Sequence, residues 1–354
     1  MPCSLSGNNQ AMCLFRRSPA PLLLFSVLAL VPKAALSQAP SPWQSSGIRV
    51  TVDRVNVGVI VTDARGQFFT GLRREDFHVL DNGMEQPITD FLSTDEPAQV
   101  LLLVEAGPAV YLLQGGHLRA VFTLLEGLSA GDRVAIAGYD ESTKPILDFT
   151  ADKNAAAVAL DQLRFNLGVG QLNLASSVVQ ALDWLARVPG KKSLVLLSTG
   201  VDTSPSAAWE NLLSRVKTTD VRVLAVSLGA ELRSARPADK KRVKKDQVSP
   251  DKSQAAAEGF AQADEQLRAL AVATGGRVYF PANPNDFRAT FAEIAQLLRH
   301  EYDLAFTPPA RDAKLHTIEV HVALRSNSAD SSVLPPAFHV DHRRAYLAPE
   351  PSPN

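Results

Sequence analysis

The fold of this chain follows from one segment, Gln99-Val-Leu-Leu-Leu-Val-Glu105-Ala-Gly107-Pro-Ala109-Val-Tyr111. Its five consecutive apolar residues, 100–104, end at a carboxylate and a Gly-Pro turn. An unbroken apolar run of this length, bounded by turn residues, is typical of a strand that is buried on both faces. In an open parallel sheet, ligands bind at the loop after such a strand. Residues 105–109 are therefore expected at the functional edge of a sheet.

Downstream of this strand, strand-like runs alternate with helical patterns up to residue 300. The strand-like runs are 133–138, 145–149, 193–198, 221–228 and 277–280, and the helical patterns are 117–128, 152–163, 172–187, 206–217, 261–273 and 286–300. Strands that alternate with helices indicate a doubly wound, mostly parallel sheet covered on both faces. The sequence therefore predicts an α/β domain over residues 98–300.

Both flanks of this domain have the period-2 apolar alternation of half-buried strands. Residues 48–97, which include the hairpin signal Asp81-Asn82-Gly83, are expected to form a small all-β domain. Residues 301–348 are expected to form a C-terminal β-extension, followed by a Pro-containing tail over 349–354. Within the α/β domain, the polar and Lys-rich residues 230–258 are expected to form a mobile insertion.

The N-terminus has the order of regions that is typical of a secretory signal peptide. Arg16-Arg17 precede the apolar segment 22–31, and the small-residue stretch Ala35-Leu36-Ser37 follows it. We expect cleavage after Ser37, with residues 38–47 as a linker rich in Pro, Ser and Gln. A membrane anchor is the alternative, but the apolar segment is shorter than the ~20 residues that a span requires. The chain is therefore predicted to be secreted or periplasmic, with no transmembrane segment after cleavage.

Composition excludes several classes of function. The chain has 354 residues, of which 36 are basic and 37 acidic, so its balanced charge gives no attraction to nucleic acid. Both cysteines, Cys3 and Cys13, lie in the signal peptide, so the mature chain has no disulfides, thiol catalysis or Cys-ligated metal. The basic segment 236–245 contains no aromatic residues on which bases could stack. It is either a solvated insertion or a contact for an acidic partner or a surface polysaccharide.

The order of elements from residue 100 to about residue 298 resembles the von Willebrand factor type A (VWA) domain. Further motifs resemble the VWFA-related Acidobacterial domain family: Val59-Ile-Val-Thr-Asp-Ala-Arg-Gly66, Asp81-Asn-Gly83, Asp148-Phe-Thr-Ala-Asp152 and Arg343-Arg-Ala-Tyr346. The resemblance implies a Rossmann-like VWA fold with the two β segments attached. It also implies a metal-ion-dependent adhesion site, in which Mg²⁺ is held by an Asp-x-Ser-x-Ser motif, a Thr on a later loop, and an Asp after the fourth long strand.

This chain departs from that pattern at nearly every ligand. The positions of the Asp and the two Ser residues are occupied by Glu105, Gly107 and Ala109. The Thr position falls on Leu172, or on Gln171 if the register shifts by one, and the late Asp position falls on Thr199. Octahedral Mg²⁺ tolerates little change in geometry. We therefore expect a degenerate site with no metal and no other cofactor.

Asp140 and Asp202 are expected near the same edge of the sheet, and they are the carboxylates that would rescue metal binding. The leading functional prediction is an exported, non-enzymatic protein. It would bind another protein or an envelope component through the loops at the carboxyl ends of the strands. One alternative is a hydrolase that uses Glu105, Asp140 and Asp202 for acid–base chemistry. Another is a purely structural envelope component. A zinc site is not expected, because His316 and His321 are five positions apart on a strand and face opposite sides.

Overall fold

The computed structural model describes residues 54–351 apart from residues 112, 114, 169, 235–249 and 325–337, and these described residues fall in one compact unit. The predicted signal peptide and linker, residues 1–47, lie outside the described residues. Within the described ranges, no helix has both the length and the apolar character that crossing a membrane requires.

The strands in chain order are β1 (Val55–Thr62), β2 (Phe77–Asp81), β3 (Met84–Gln86), β4 (Ile88–Leu92), β5 (Ala98–Glu105), β6 (Arg133–Tyr139), β7 (Thr143–Thr150), β8 (Lys191–Ser198), β9 (Arg222–Ser227), β10 (Val278–Tyr279), β11 (Glu301–Phe306), β12 (Leu315–Val322), β13 (His339–His342) and β14 (Ala345–Leu347). The helices are α1 (Pro108–Tyr111), α2 (Gly116–Gly127), α3 (Lys153–Asp161), α4 (Leu174–Leu185), α5 (Ser206–Val216), α6 (Gly229–Ser234), α7 (Pro250–Ala273) and α8 (Pro284–Arg299).

The central sheet has six strands in the order β10-β9-β8-β5-β6-β7. All neighbouring strands are parallel except β7, which is antiparallel to β6 at one edge. Every residue of β5 is buried, as its unbroken apolar run predicts. Val100, Leu102 and Val104 pack in one core with α2, α3 and α8, while Leu101 and Leu103 pack in a second core with α4, α5 and α7. The predicted doubly wound, mostly parallel sheet is confirmed.

The two flanking β segments form one structure. Strand β1 lies between β11 and β13, and β2 lies between β3 and β12, in two four-stranded sheets of orders β13-β1-β11-β4 and β14-β12-β2-β3. The segments 48–97 and 301–348, separate in the sequence analysis, therefore contribute to a single β unit into which the α/β domain is inserted. Period-2 alternation indicates which face of a strand is buried, but it does not reveal a pairing partner more than 200 positions away.

The predicted insertion over residues 230–258 differs from the observed structure at both ends. Residues 230–234 belong to α6, and α7 begins at Pro250 instead of near residue 261. The remaining part, 235–249, lies outside the described residues. The early start of α7 has a local cause, since the Ala-Ala-Ala run at 255–257 has the strongest intrinsic helix propensity.

Candidate functional site

The last residue of β5, Glu105, lies at the centre of the carboxyl edge of the sheet. The parallel register places Tyr139 of β6 opposite Glu105 on one side. On the other side Val104 lies opposite Leu197 of β8, so Ser198 and Thr199 come next to Glu105. The Glu105 side chain is 0% exposed to solvent. Three strand ends therefore bring their polar side chains together beneath the edge loops.

The Glu105 carboxylate accepts hydrogen bonds from several donors. Its Oε2 accepts from the backbone N–H of Thr199 at 2.7 Å and from the Thr199 hydroxyl at 2.9 Å. The hydroxyls of Ser198 and Tyr139 each lie 3.2 Å from the same oxygen. Tyr139 also lies 2.7 Å from Ser198 Oγ, and it donates its single proton to one of the two acceptors at a time. The longer Glu side chain thus joins β5 directly to the end of β8.

Burial raises the pKa of the Glu105 carboxyl, and the hydrogen bonds from Thr199, Ser198 and Tyr139 offset part of this effect. Burial also raises the pKa of the Tyr139 hydroxyl well above its usual value, and the charge of Glu105 adds to the shift. Both side chains are fully buried. Their geometry is that of an internal cross-link between strands, away from any substrate in solvent.

Gly107 and Leu172 meet directly above this cross-link. A Cβ atom added at Gly107 would lie only 2.7 Å from Leu172 Cδ2 and 3.5 Å from Glu105 Oε1. Leu172 is held in place by Thr203, whose hydroxyl accepts from the Leu172 N–H at 2.8 Å and whose own N–H donates to the Leu172 carbonyl at 2.8 Å. The methyl groups of Leu172 therefore occupy the room that a Ser side chain at position 107 would need. Ala109, in α1, has no side-chain oxygen.

Asp202 caps a helix. Its Oδ2 accepts from the N–H of Ala175 at 3.0 Å, in the first turn of α4, and its Oδ1 accepts from the N–H of Ser204 at 2.9 Å. Asn173, the residue before α4, makes no capping hydrogen bond with its own side chain. Asp202 therefore supplies from another loop the acceptor that a helix N-terminus requires.

Asp140 forms an ion pair with Lys144, with 2.6 Å between Oδ2 and Nζ, and accepts from the N–H of Ser142 at 3.2 Å. Burial opposes ionisation of Asp140, but Lys144 and the backbone N–H groups outweigh it and hold the pKa of the carboxyl below its usual value. The Asp140 carbonyl accepts from the N–H of Asn173 at 2.9 Å, which ties this loop to the start of α4.

The residues present do not fit Mg²⁺, which takes about six oxygen ligands in near-octahedral geometry. Glu105 and Thr199 are hydrogen-bonded to each other. The side chains at Gly107, Ala109 and Leu172 have no oxygen. The carboxylates of Asp202 and Asp140 are engaged by the α4 N-terminus and by Lys144. Nowhere in the described part of the chain do three His, Cys, Asp or Glu side chains form a group that could hold a metal ion.

The structure brings Glu105, Gly107, Leu172 and Thr199 together, while Asp140 and Asp202 take separate roles at α4. The sequence analysis did not single out Tyr139 or Ser198. Each is the last residue of a strand that neighbours β5. Because the carboxyl ends of parallel strands meet at one edge, a polar residue at that position was the available signal.

Exposed apolar side chains stand at this edge. Tyr111, at the end of α1, is 55% exposed, and Leu167, in the α3–α4 loop, is 63% exposed. The ring of Phe165 lies 6.2 Å from that of Tyr111, centroid to centroid. The N–H of Asn166 donates to the Ala106 carbonyl at 2.8 Å, so the two loops are fixed to each other. We call Tyr111, Phe165 and Leu167 the apolar rim.

No protein-family model and no curated protein matches the chain. Among solved structures, it is similar to a von Willebrand factor type A protein from Catenulispora acidiphila, at 12% identity and a TM-score of 0.44, over 83% of this chain and 74% of that one. It is also similar to BatB from Bacteroides thetaiotaomicron, at 14% identity and a TM-score of 0.35, over 56% of this chain and 98% of that one. A third similar structure is the SpRpn10 VWA domain, at 10% identity and a TM-score of 0.33, over 55% of this chain and 93% of that one. The fold assignment rests on the sheet topology.

Proposed function

We propose that this chain is an exported, non-enzymatic binding protein that holds another protein or an envelope component through the carboxyl-edge loops of its VWA-like domain, without a metal ion. The observation that supports this most strongly is the apolar rim beside a centre whose carboxylates are all engaged. Tyrosine is among the residues that are enriched as anchors of protein–protein contacts, and Tyr111 is exposed at this rim.

The hydrolase alternative depends on carboxylates that can reach a substrate, because a general acid or base must come within hydrogen-bonding distance of the reacting group. Glu105 is 0% exposed, and its carboxylate accepts a hydrogen bond from Thr199. Asp140 is 2% exposed and paired with Lys144. These engagements favour a binding function over acid–base catalysis at this edge.

Site-specific photocrosslinking tests the proposal, because it captures a partner whose identity is not specified in advance. A photoreactive amino acid replaces Tyr111 or Leu167, and the purified protein is irradiated in cell-envelope extract. The matched controls are Leu315, on β12, and Val272, on α7, which are 57% and 66% exposed. We expect one adduct of the same mass from both rim positions, none from the controls, and the same yield in EDTA.

Equal labelling at all four positions would contradict the choice of surface. Loss of the rim adduct in EDTA would contradict metal-independent binding. Turnover of an ester, peptide or glycoside substrate that disappears in Glu105→Gln would favour the hydrolase.

A further inference from the structure

A cleft of about 610 Å³ opens on the β unit, and none of its lining residues belongs to the carboxyl edge of the central sheet. One wall is the segment 70–75, which follows β1. The other wall is formed by Phe91, near the end of β4, and by residues 93–95 after it. The buried Tyr302 of β11 lies at the base. Sites for small molecules typically have volumes of ~300–1,000 Å³. We call this cavity the β-unit cleft.

Hydrogen bonds fix the first wall. The Tyr302 hydroxyl accepts from the Leu72 N–H at 3.2 Å and donates to the Phe69 carbonyl at 3.1 Å. The Asp76 carboxylate accepts from the Arg73 N–H at 2.7 Å, and the Asp76 N–H donates to the Arg73 carbonyl at 3.0 Å. This wall is therefore formed before a ligand arrives.

The second wall is fixed by Lys191 of β8, which is buried beneath it. Lys191 Nζ donates to the carbonyls of Ser93 at 3.3 Å and of Thr94 at 3.2 Å. The N–H of Asp95 donates to the Ser93 hydroxyl at 3.3 Å. Ligand binding between two fixed walls does not have to order a loop, which removes one of the usual costs of association.

The charges that line the β-unit cleft balance. Arg73 and Arg74 supply two guanidinium groups, while Glu75 and Asp95 supply two carboxylates. All four residues are exposed, and no ion pair among the described residues includes any of them. Arg74 makes one long hydrogen bond, to the Thr89 carbonyl at 3.4 Å. Two charges of each sign give no net attraction for a strongly charged ligand, yet they leave strong donors and acceptors free to bind one.

The hydrogen-bonding groups of the lining are mixed. A guanidinium only donates and a carboxylate only accepts, whereas the hydroxyls of Thr70, Ser93 and Thr94 do both. A ligand that satisfies them donates and accepts at several closely spaced atoms. The half-buried Phe91 adds an apolar surface, and its ring is supported by that of Tyr302 at 6.0 Å between centroids. The same ligand therefore also presents C–H groups.

We propose that the β-unit cleft binds a neutral oligosaccharide. A pyranose ring has adjacent hydroxyl groups, each of which donates and accepts, and its faces carry C–H groups. Adjacent hydroxyls match the two N–H groups of a guanidinium or the two oxygens of a carboxylate, and the C–H face packs on Phe91. A sugar acid would be repelled by Glu75 and Asp95. An apolar ligand would take water from the charged groups and give them no partner.

Ligand-observed NMR titration of the full chain with triacetylchitotriose, maltotriose and mannotriose tests this proposal. We expect at least one of these neutral sugars to bind. Arg73→Ala should weaken that binding about tenfold or more, as the loss of a hydrogen bond from a charged group does. Arg65→Ala, an exposed arginine of the β1–β2 loop outside the cleft, is the matched control and should bind like the wild type. Tyr111→Ala should also leave sugar binding unchanged, which separates this site from the apolar rim.

Two further measurements define the site and its ligand. Thr94→Trp fills the cleft with an indole and should abolish binding, with the melting temperature of each variant showing that it is folded. Trigalacturonate, an anionic trisaccharide, should bind more weakly than the neutral sugar. The proposal is overturned if none of the three neutral sugars binds, if Arg73→Ala and wild type bind with equal affinity, or if trigalacturonate binds more tightly.

Discussion

Two hydrogen bonds join Glu105 and Thr199: the Glu105 carboxylate accepts from the backbone N–H of Thr199 at 2.7 Å and from the Thr199 hydroxyl at 2.9 Å. These are the positions at which a VWA metal site, as the sequence resemblance implies it, would have two Asp ligands. In this chain the longer Glu side chain reaches Thr199 without an ion between them. We propose that this contact takes the structural place of a metal ion.

Removal of the Glu105 carboxylate should destabilise the protein. Glu105→Ala leaves the buried donors of Thr199, Ser198 and Tyr139 without their acceptor, and each unsatisfied buried donor costs about 1–3 kcal/mol. Because Ser198 and Tyr139 can still bond to each other, we expect a loss of about 2–4 kcal/mol in the free energy of unfolding by urea. Glu141→Ala, an exposed carboxylate in the β6–β7 loop, is the matched control and should change it by less than about 0.5 kcal/mol. Equal losses in the two variants would argue against the cross-link.

Asp202→Ala should cost about 1 kcal/mol, the usual effect of losing an N-terminal helix cap. Ala175 and Ser204 donate to different oxygens of Asp202, and Asn keeps only one of these acceptors, so Asp202→Asn should recover about half of the loss in Ala. Urea unfolding of both variants measures the difference. If Asn recovered the full stability of the wild type, the second hydrogen bond would contribute nothing, and the assignment of Asp202 as a two-acceptor cap would be wrong.

Gly107→Ser restores one ligand of the VWA pattern, but its Cβ would lie 2.7 Å from Leu172 Cδ2. Because Leu172 Cδ2 is the end of a half-buried side chain that can rotate, we expect a cost of about 1 kcal/mol, at the low end for overpacked positions. Leu172→Ala in the same chain should remove most of that cost, with a coupling of about 0.5–1 kcal/mol in a double-mutant cycle. Additive effects would mean that Leu172 does not occupy this space.

The strands of the α/β domain could be predicted because buried parallel strands have unbroken apolar runs, as in residues 100–104 and 193–198. Pairing in the β unit could not, because residues such as Val55 and Phe306 meet only after the whole α/β domain has been inserted between them. The early part of α7 was missed because its Ala-rich sequence has helix propensity without an amphipathic stripe.

The candidate site was predicted in its positions more than in its interactions. Alignment with the VWA pattern placed Glu105, Leu172 and Thr199 at one edge, and they do meet there. The bonds of Asp202 to the start of α4 and of Asp140 to Lys144 depend on loop conformations that the sequence does not specify. Carboxylates that appear free in a sequence are thus already engaged in the folded chain.

A metal-free contact between Glu105 and Thr199 is tested most directly by the melting temperature of the wild-type protein in EDTA, Mg²⁺ and Mn²⁺. A ligand that binds only the native state stabilises it by about 2.7 kcal/mol at 100 times its dissociation constant, which is easily measured as a shift. We predict the same melting temperature in all three conditions, because Glu105 and Thr199 are hydrogen-bonded to each other and leave no ligands for an ion. An increase in Mg²⁺ or Mn²⁺ that Glu105→Ala abolishes would contradict it.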